Sequence, residues 1–215
     1  MIRNRKNLSK NIFSLITKLP FFKIENLKLV GISTHYLRTI LTRYTKRGEL
    51  IRLKKGVYTS KIFIEETKKE GNYSAFLEFL ANEIYSPSYL SLDYILYQEN
   101  ILTEIPVNFT LITKNKTAFF SNVLGSFFYH KIKDELFCGF EIIRESDFII
   151  LKATRAKALF DFLYLRKNLL VNKKAIKELR LNLNNFSKSD IEEFKKYLEI
   201  EGSKKMKEVS NELFK

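Results

Sequence analysis

Ser33-Thr34-His35-Tyr36-Leu37-Arg38-Thr39-Ile40-Leu41-Thr42-Arg43-Tyr44-Thr45-Lys46-Arg47-Gly48 reads as one amphipathic helix between a start signal and a stop signal. Ser33 has the hydroxyl that an N-cap needs to accept from the first helical N–H groups, and Gly48 stands where a helix C-terminus favours positive φ. Tyr36, Leu37, Ile40, Leu41 and Tyr44 recur at helical spacing and form an apolar face. His35, Arg38, Thr39, Thr42 and Lys46 fall opposite, with Arg43 and Arg47 at the flanks. Such a helix fastens one side to a domain and offers the other to a ligand. Directly after it, Leu50-Ile51-Arg52-Leu53 and Val57-Tyr58-Thr59 flank Lys54-Lys55-Gly56, which is the pattern of a β-hairpin with two lysines and a turn glycine at its tip.

Upstream, Ser9–Leu19 is predicted as a short helix stopped before Pro20. Phe22–Val30 is predicted as a second, with Ile24, Leu27 and Val30 at helical spacing and Gly31 closing it. Three helices followed by a basic hairpin make a winged helix-turn-helix, expected over residues 1–66. The basic start followed by Ile12–Ile16 faintly imitates a signal peptide, but the apolar run is short, Lys18 interrupts it and no small-residue cleavage site follows. It is read as the first helix of the head.

Charge supports that division. The first 60 residues hold 14 Lys or Arg against Glu25 and Glu49, a net +12 of the chain's formal +14. The other 155 residues are nearly neutral, with 24 basic and 22 acidic side chains. A lysine-rich composition acting evenly would not leave the body balanced, so the clustering marks the head as a surface for phosphates. Arg offers a fork for guanine edges or phosphates, and Thr a hydroxyl for phosphates and a methyl for thymine. A solvated charged face would by itself explain residues 35–47; the preceding helix, the glycine turn and the basic wing favour a nucleic-acid surface. The residues expected to meet duplex DNA are Ser33, Thr34, His35, Arg38, Thr39, Thr42, Arg43, Lys46, Arg47, Arg52, Lys54 and Lys55.

Residues 61–72 read as a polar connection to a second domain at 73–215. There Tyr73–Ile84 is an amphipathic helix, and Pro87 breaks the chain before another helix capped by Ser91. Residues 107–113, 118–122, 127–132 and 148–151 carry the aromatic and β-branched content of strands, expected to form an antiparallel sheet. Residues 154–166 return to helical spacing, and short helices continue to Lys215. The fold class is therefore α+β: a winged helix-turn-helix followed by a mixed α/β domain.

No glycine-rich phosphate loop, nucleophile elbow or His/Cys cluster is present in the sequence, so no catalytic residue, metal ligand or cofactor is expected. Asp161 stands among apolar neighbours and is read as a structural ion pair or hydrogen-bond acceptor, with Arg155 and Lys157 as partners or as a basic patch. Cys138, the single cysteine, is read as a buried structural thiol. No run reaches the roughly 18 apolar residues of a membrane span, and the cytoplasm is the expected compartment.

The order of four further stretches resembles the AbiEi family of antitoxins from abortive-infection toxin-antitoxin systems. They are Lys46-Arg47-Gly48-Glu49-Leu50-Ile51-Arg52-Leu53-Lys54-Lys55-Gly56-Val57-Tyr58, Pro87-Ser88-Tyr89-Leu90-Ser91-Leu92, the segment 127–140 from Phe127-Phe128-Tyr129-His130 to Cys138-Gly139-Phe140, and Ala153-Thr154-Arg155-Ala156-Lys157-Ala158-Leu159-Phe160-Asp161-Phe162-Leu163-Tyr164-Leu165. At Arg155 and Ala156 the chain departs from similar proteins, which carry a proline and an acid. The resemblance implies a winged helix that represses its own promoter by binding inverted repeats. It also implies a C-terminal domain that counters a nucleotidyltransferase toxin, by direct contact or indirectly, in a type IV system of phage defence. On that basis Arg38, Thr39, Thr42, Arg43 and Lys46 would meet the operator, and Arg52, Lys54 and Lys55 the flanking phosphates. A winged-helix regulator without a toxin partner, a nucleic-acid-processing enzyme and an RNA-binding factor are the competing readings.

Overall fold

The computed structural model describes residues 11–27 and 33–214. Ser9, Val30 and Gly31, assigned above to helix ends, lie outside the described residues. The chain divides into two compact units, one running through Leu80 and including Phe120–Gly125, the other comprising Ala81–Phe119 and Ser126–Lys215.

In the first unit residues 11–16 are helical (α1). They are followed by β1 (Phe22–Lys23), α2 (Ile24–Leu27), α3 (Thr34–Lys46), β2 (Leu50–Lys54), β3 (Val57–Ser60) and α4 (Lys61–Lys69), and α5 (Tyr73–Ile84) begins in this unit. Ser33 caps α3, its hydroxyl accepting from the Tyr36 N–H at 3.4 Å. Gly48 ends the helix at φ +73°. The apolar face is buried as expected: Leu37, Ile40, Leu41 and Tyr44 pack with Ile12, Ile16, Phe22, Leu27, Leu50 and Tyr58 in one core, and Phe13 stacks on Tyr44 at 4.4 Å. The hairpin also forms as predicted, β2 antiparallel to β3, with β1 on the other side of β3. This is a winged-helix arrangement.

Two expectations for this unit are corrected. Phe22 and Lys23 are strand rather than the start of a helix, because their backbones pair with Tyr58 and Val57 and the Phe22 ring stacks on Tyr58 at 5.7 Å. Residues 61–69 are not a connection but helix α4, capped by Ser60 through the Phe63 N–H at 3.0 Å, with Ile64 and Thr67 buried and Phe63 against Phe76 at 5.3 Å.

The second unit holds β4 (Ser88–Leu90), β5 (Phe109–Thr113), β7 (Gly125–Lys131, apart from Gly125), β8 (Phe140–Glu145) and β9 (Phe148–Ala153); with β6 (Ala118–Asn122), of which Phe120–Asn122 belong to the first unit, they form a six-stranded sheet in the order β6-β7-β5-β4-β9-β8. Its helices are α6 (Leu92–Gln98), α7 (Arg155–Arg166), α8 (Lys173–Lys177), α9 (Lys188–Glu201) and α10 (Lys204–Leu213). The sheet is mixed, not antiparallel: β4 runs parallel to β9 and β5 to β7, while β4–β5 and β8–β9 are antiparallel. Alternation of side chains is the same in both directions, so strand composition carries no record of it. Strands β4 and β8 had not been anticipated; β4 has only three residues, and charged Glu141, Arg144 and Glu145 interrupt the apolar content of β8.

A buried ion pair organises this unit. Lys157 and Asp161, one turn apart on α7, are both inaccessible to solvent, with Nζ and Oδ1 separated by 2.6 Å. The other carboxylate oxygen of Asp161 accepts from Tyr89 Oη at 3.0 Å and Ser91 Oγ at 2.8 Å, fastening α7 to the β4 segment. Ser91 thus spends its hydroxyl on Asp161 and makes no side-chain cap for α6. The Lys157 ammonium also lies over the rings of Phe160 and Tyr197, at 4.9 and 5.0 Å. Of the two cations suggested for Asp161, Arg155 instead pairs with Glu99 at 2.7 Å. Cys138, expected to be buried, is half-exposed. Removing one member of such a pair strands the other without solvent, at about 3–5 kcal/mol. Urea denaturation of Lys157→Met should show a loss of that size; Lys157→Met/Asp161→Leu should recover only part of it, since Tyr89 and Ser91 then lose their acceptor. A loss in the single variant of under about 1 kcal/mol would contradict a dry, organising pair.

Candidate nucleic-acid interface

The core rotation of α3 sorts its polar residues into two rows. Thr34, Arg38 and Thr42, at intervals of four, line a concave surface whose other wall is the wing, with Arg52, Lys54 and Lys55. His35, Thr39, Arg43, Lys46 and Arg47 are exposed but lie outside that concavity. Helical geometry accounts for the split: residues four apart stay on one line, and a step of one residue turns the side chain by about 100°. Ser33 acts as the cap. The Thr39 hydroxyl donates to the His35 carbonyl at 3.1 Å, so its own proton is engaged within the helix. Arg47 sits 3.8 Å from Glu49, an exposed pair.

Lys23 joins the groove and was missed in the sequence because its segment was read as helix. Pairing of β1 with β3 carries it to the wing, where Lys23 stands opposite Val57. The groove thus gathers Lys23, Arg38, Arg52, Lys54 and Lys55 against one carboxylate, Glu25. Its shape is fixed by backbone. Gly56 adopts φ +80° at the wing turn, a conformation that excludes most side chains, and its carbonyl accepts from the Ile24 N–H at 3.0 Å, pinning the tip beside α2.

The setting of Lys54 shifts its titration. Partial burial, and then the field of Lys23, hold its ammonium below the usual lysine value of 10.5. An anion entering between them would relieve both. The arrangement offers an anionic ligand cations along the wing, with Arg38 and Thr42 facing it from α3. Among the described residues, no group of three or more His, Cys, Asp or Glu is placed to hold a metal ion, and no helix is long and apolar enough to cross a membrane.

Residues 12–61, from α1 through the wing, match the family described as transcriptional regulator, AbiEi antitoxin. The winged-helix segment is therefore similar to AbiEi antitoxin regulators over residues 12–61. The match covers both walls of the groove and supports a regulator or antitoxin role for the chain. No curated protein matches the chain significantly. Within the matched segment, the crowding of Lys23 and Lys54 gives a direct check. An NMR titration should find Lys54 losing its proton below pH 10.5, and Lys23→Gln should raise that midpoint. An unchanged midpoint would mean that the two ammonium groups do not sense each other across the groove.

Proposed function

We propose that the protein is the antitoxin and autorepressor of a type IV toxin-antitoxin system. Its AbiEi domain binds inverted repeats in the promoter, and its C-terminal residues counter a nucleotidyltransferase toxin in the cytoplasm. The observation that carries the DNA-binding half is the cationic groove between α3 and the wing, in a segment that matches antitoxin regulators. Helix α3 has 13 residues. At 1.5 Å per residue it is roughly 20 Å long, a body that the major groove, about 12 Å wide, admits. With α3 inserted, Arg38 reaches base edges and Thr42 follows it one turn later. Lys54 and Lys55 then follow the adjacent phosphates, joined by Arg52 and Lys23. Arg43, Lys46 and Arg47 meet the backbone farther along the duplex.

Phosphate contacts and base contacts have different signatures. In a salt titration on the promoter duplex, Lys54→Ala/Lys55→Ala should weaken binding to every sequence and flatten the log-log salt slope by about two units, roughly 0.9 per contact. Arg38→Ala should instead reduce discrimination between promoter and random duplex by about 1–3 kcal/mol. A double variant with the parental slope would remove the wing as a phosphate clamp; equal losses on both duplexes would make Arg38 a backbone contact.

The toxin-directed half rests on the family match and on the near-neutral charge of the residues outside the head. Expressed from an unrelated promoter beside the toxin gene, the full chain carrying Lys54→Ala/Lys55→Ala should protect cells as well as the parent while no longer repressing the native promoter. Cell death with that variant present at parental abundance would show that protection needs the DNA-binding groove, and the two-function reading would fail.

A further inference from the structure

The stretch that matches the AbiEi regulators ends at residue 61, yet the compact unit containing the groove also takes in residues 120–125, the end of β6 with the turn that leads into β7. Three contacts describe what that turn does there. The Asn122 side-chain amide donates to the Leu53 carbonyl, on wing strand β2, at 3.2 Å. The orientation of this amide is set from the other side, where its Oδ1 accepts from the Leu124 N–H at 2.8 Å. One residue along the wing, the Lys54 ammonium lies 5.3 Å from the centroid of the Phe120 ring. Behind the wing, Val123 and Leu124 border the same apolar concavity as Ile51 and Ile64.

We propose that Phe120 and Asn122 are positioning residues for DNA binding, holding the wing strand and the Lys54 ammonium at the groove through contacts made from outside the winged-helix segment. This rests on the DNA-binding reading given above. The physical need is specific. Strand β2, which carries Lys54, lies at the edge of the sheet β1-β3-β2, and a lysine on a flexible four-carbon stem loses rotamer freedom when it engages a phosphate. A ring beneath the ammonium restricts that stem beforehand, and a side-chain amide on the Leu53 carbonyl holds the strand that carries it. The partial burial that lowers the Lys54 pKa is in keeping with an ammonium held against this ring.

The test uses the full chain with Phe120→Leu, Phe120→Tyr and Asn122→Ala, each with and without Lys54→Ala. Two readouts are taken: affinity for the promoter duplex, and the upfield ring-current shift of the Lys54 side-chain protons measured without DNA. Phe120→Leu should abolish the ring-current shift and weaken binding roughly three- to tenfold, as expected for loss of a cation–π contact. Phe120→Tyr, which keeps the ring, should retain the shift and bind within about twofold of the parent. In the Lys54→Ala background, Phe120→Leu should cost nothing further. Asn122→Ala should weaken binding by a similar three- to tenfold, roughly the worth of one hydrogen bond, and covers the case in which Phe120→Leu fails to fold. Parental affinity in both Phe120→Leu and Asn122→Ala, or an equal loss for Phe120→Leu with and without Lys54, would overturn this inference and leave the DNA-binding reading intact. A parent chain that shows the ring-current shift but binds no duplex would overturn the DNA-binding reading and this inference with it.

Discussion

The burial of Leu37, Ile40, Leu41 and Tyr44 fixes how α3 is rotated, and everything at the interface follows from that rotation. Each of these four side chains contributes about 1.5–3 kcal/mol on leaving water, and together they outweigh the roughly 4 kcal/mol by which two like charges 4 Å apart repel near a protein surface. Burial wins by a clear margin. The domain can therefore afford to hold Arg38 beside Arg52, Lys54 and Lys55 with only Glu25 as a local counter-charge. A helix turned by one residue would hide Arg38 and bring Leu37 to the surface, so core and groove are two sides of one constraint.

Much of this was legible in the sequence because its causes are local. The Ser33 cap, the 37–40–41–44 row and the positive φ of Gly48 depend on residues within one helix, and the wing on a glycine turn between two short apolar runs. What could not be read depends on partners far along the chain. Phe22 and Lys23 become strand only because Val57 and Tyr58 arrive beside them, which is why Lys23 was absent from the expected interface. The division of the exposed face of α3 into a groove row and an outer row is set by where the wing stands, and no property of the helix alone reports that.

In the second unit the helix over 154–166 and most strands were visible from composition, but not the direction of pairing or strands as short as β4. The fate of Asp161 shows both sides. Its apolar surroundings announced a paired carboxylate, and Lys157 one turn earlier supplied the cation. The contribution of Tyr89 and Ser91, some 70 residues away, needed the fold. Arg155, one residue after the Thr154 cap, ties Glu99 and the Asn185 carbonyl together.

In the proposed complex, duplex DNA occupies the groove between α3 and the wing. Hydrogen exchange of the full chain with and without its promoter duplex tests it most directly, because it reports on every segment at once. Slowed exchange is expected in α3 and the wing, residues 34–46 and 50–58, with little change in α7–α10. Slowed exchange confined to the second unit, with residues 34–58 unaffected by saturating duplex, would contradict it.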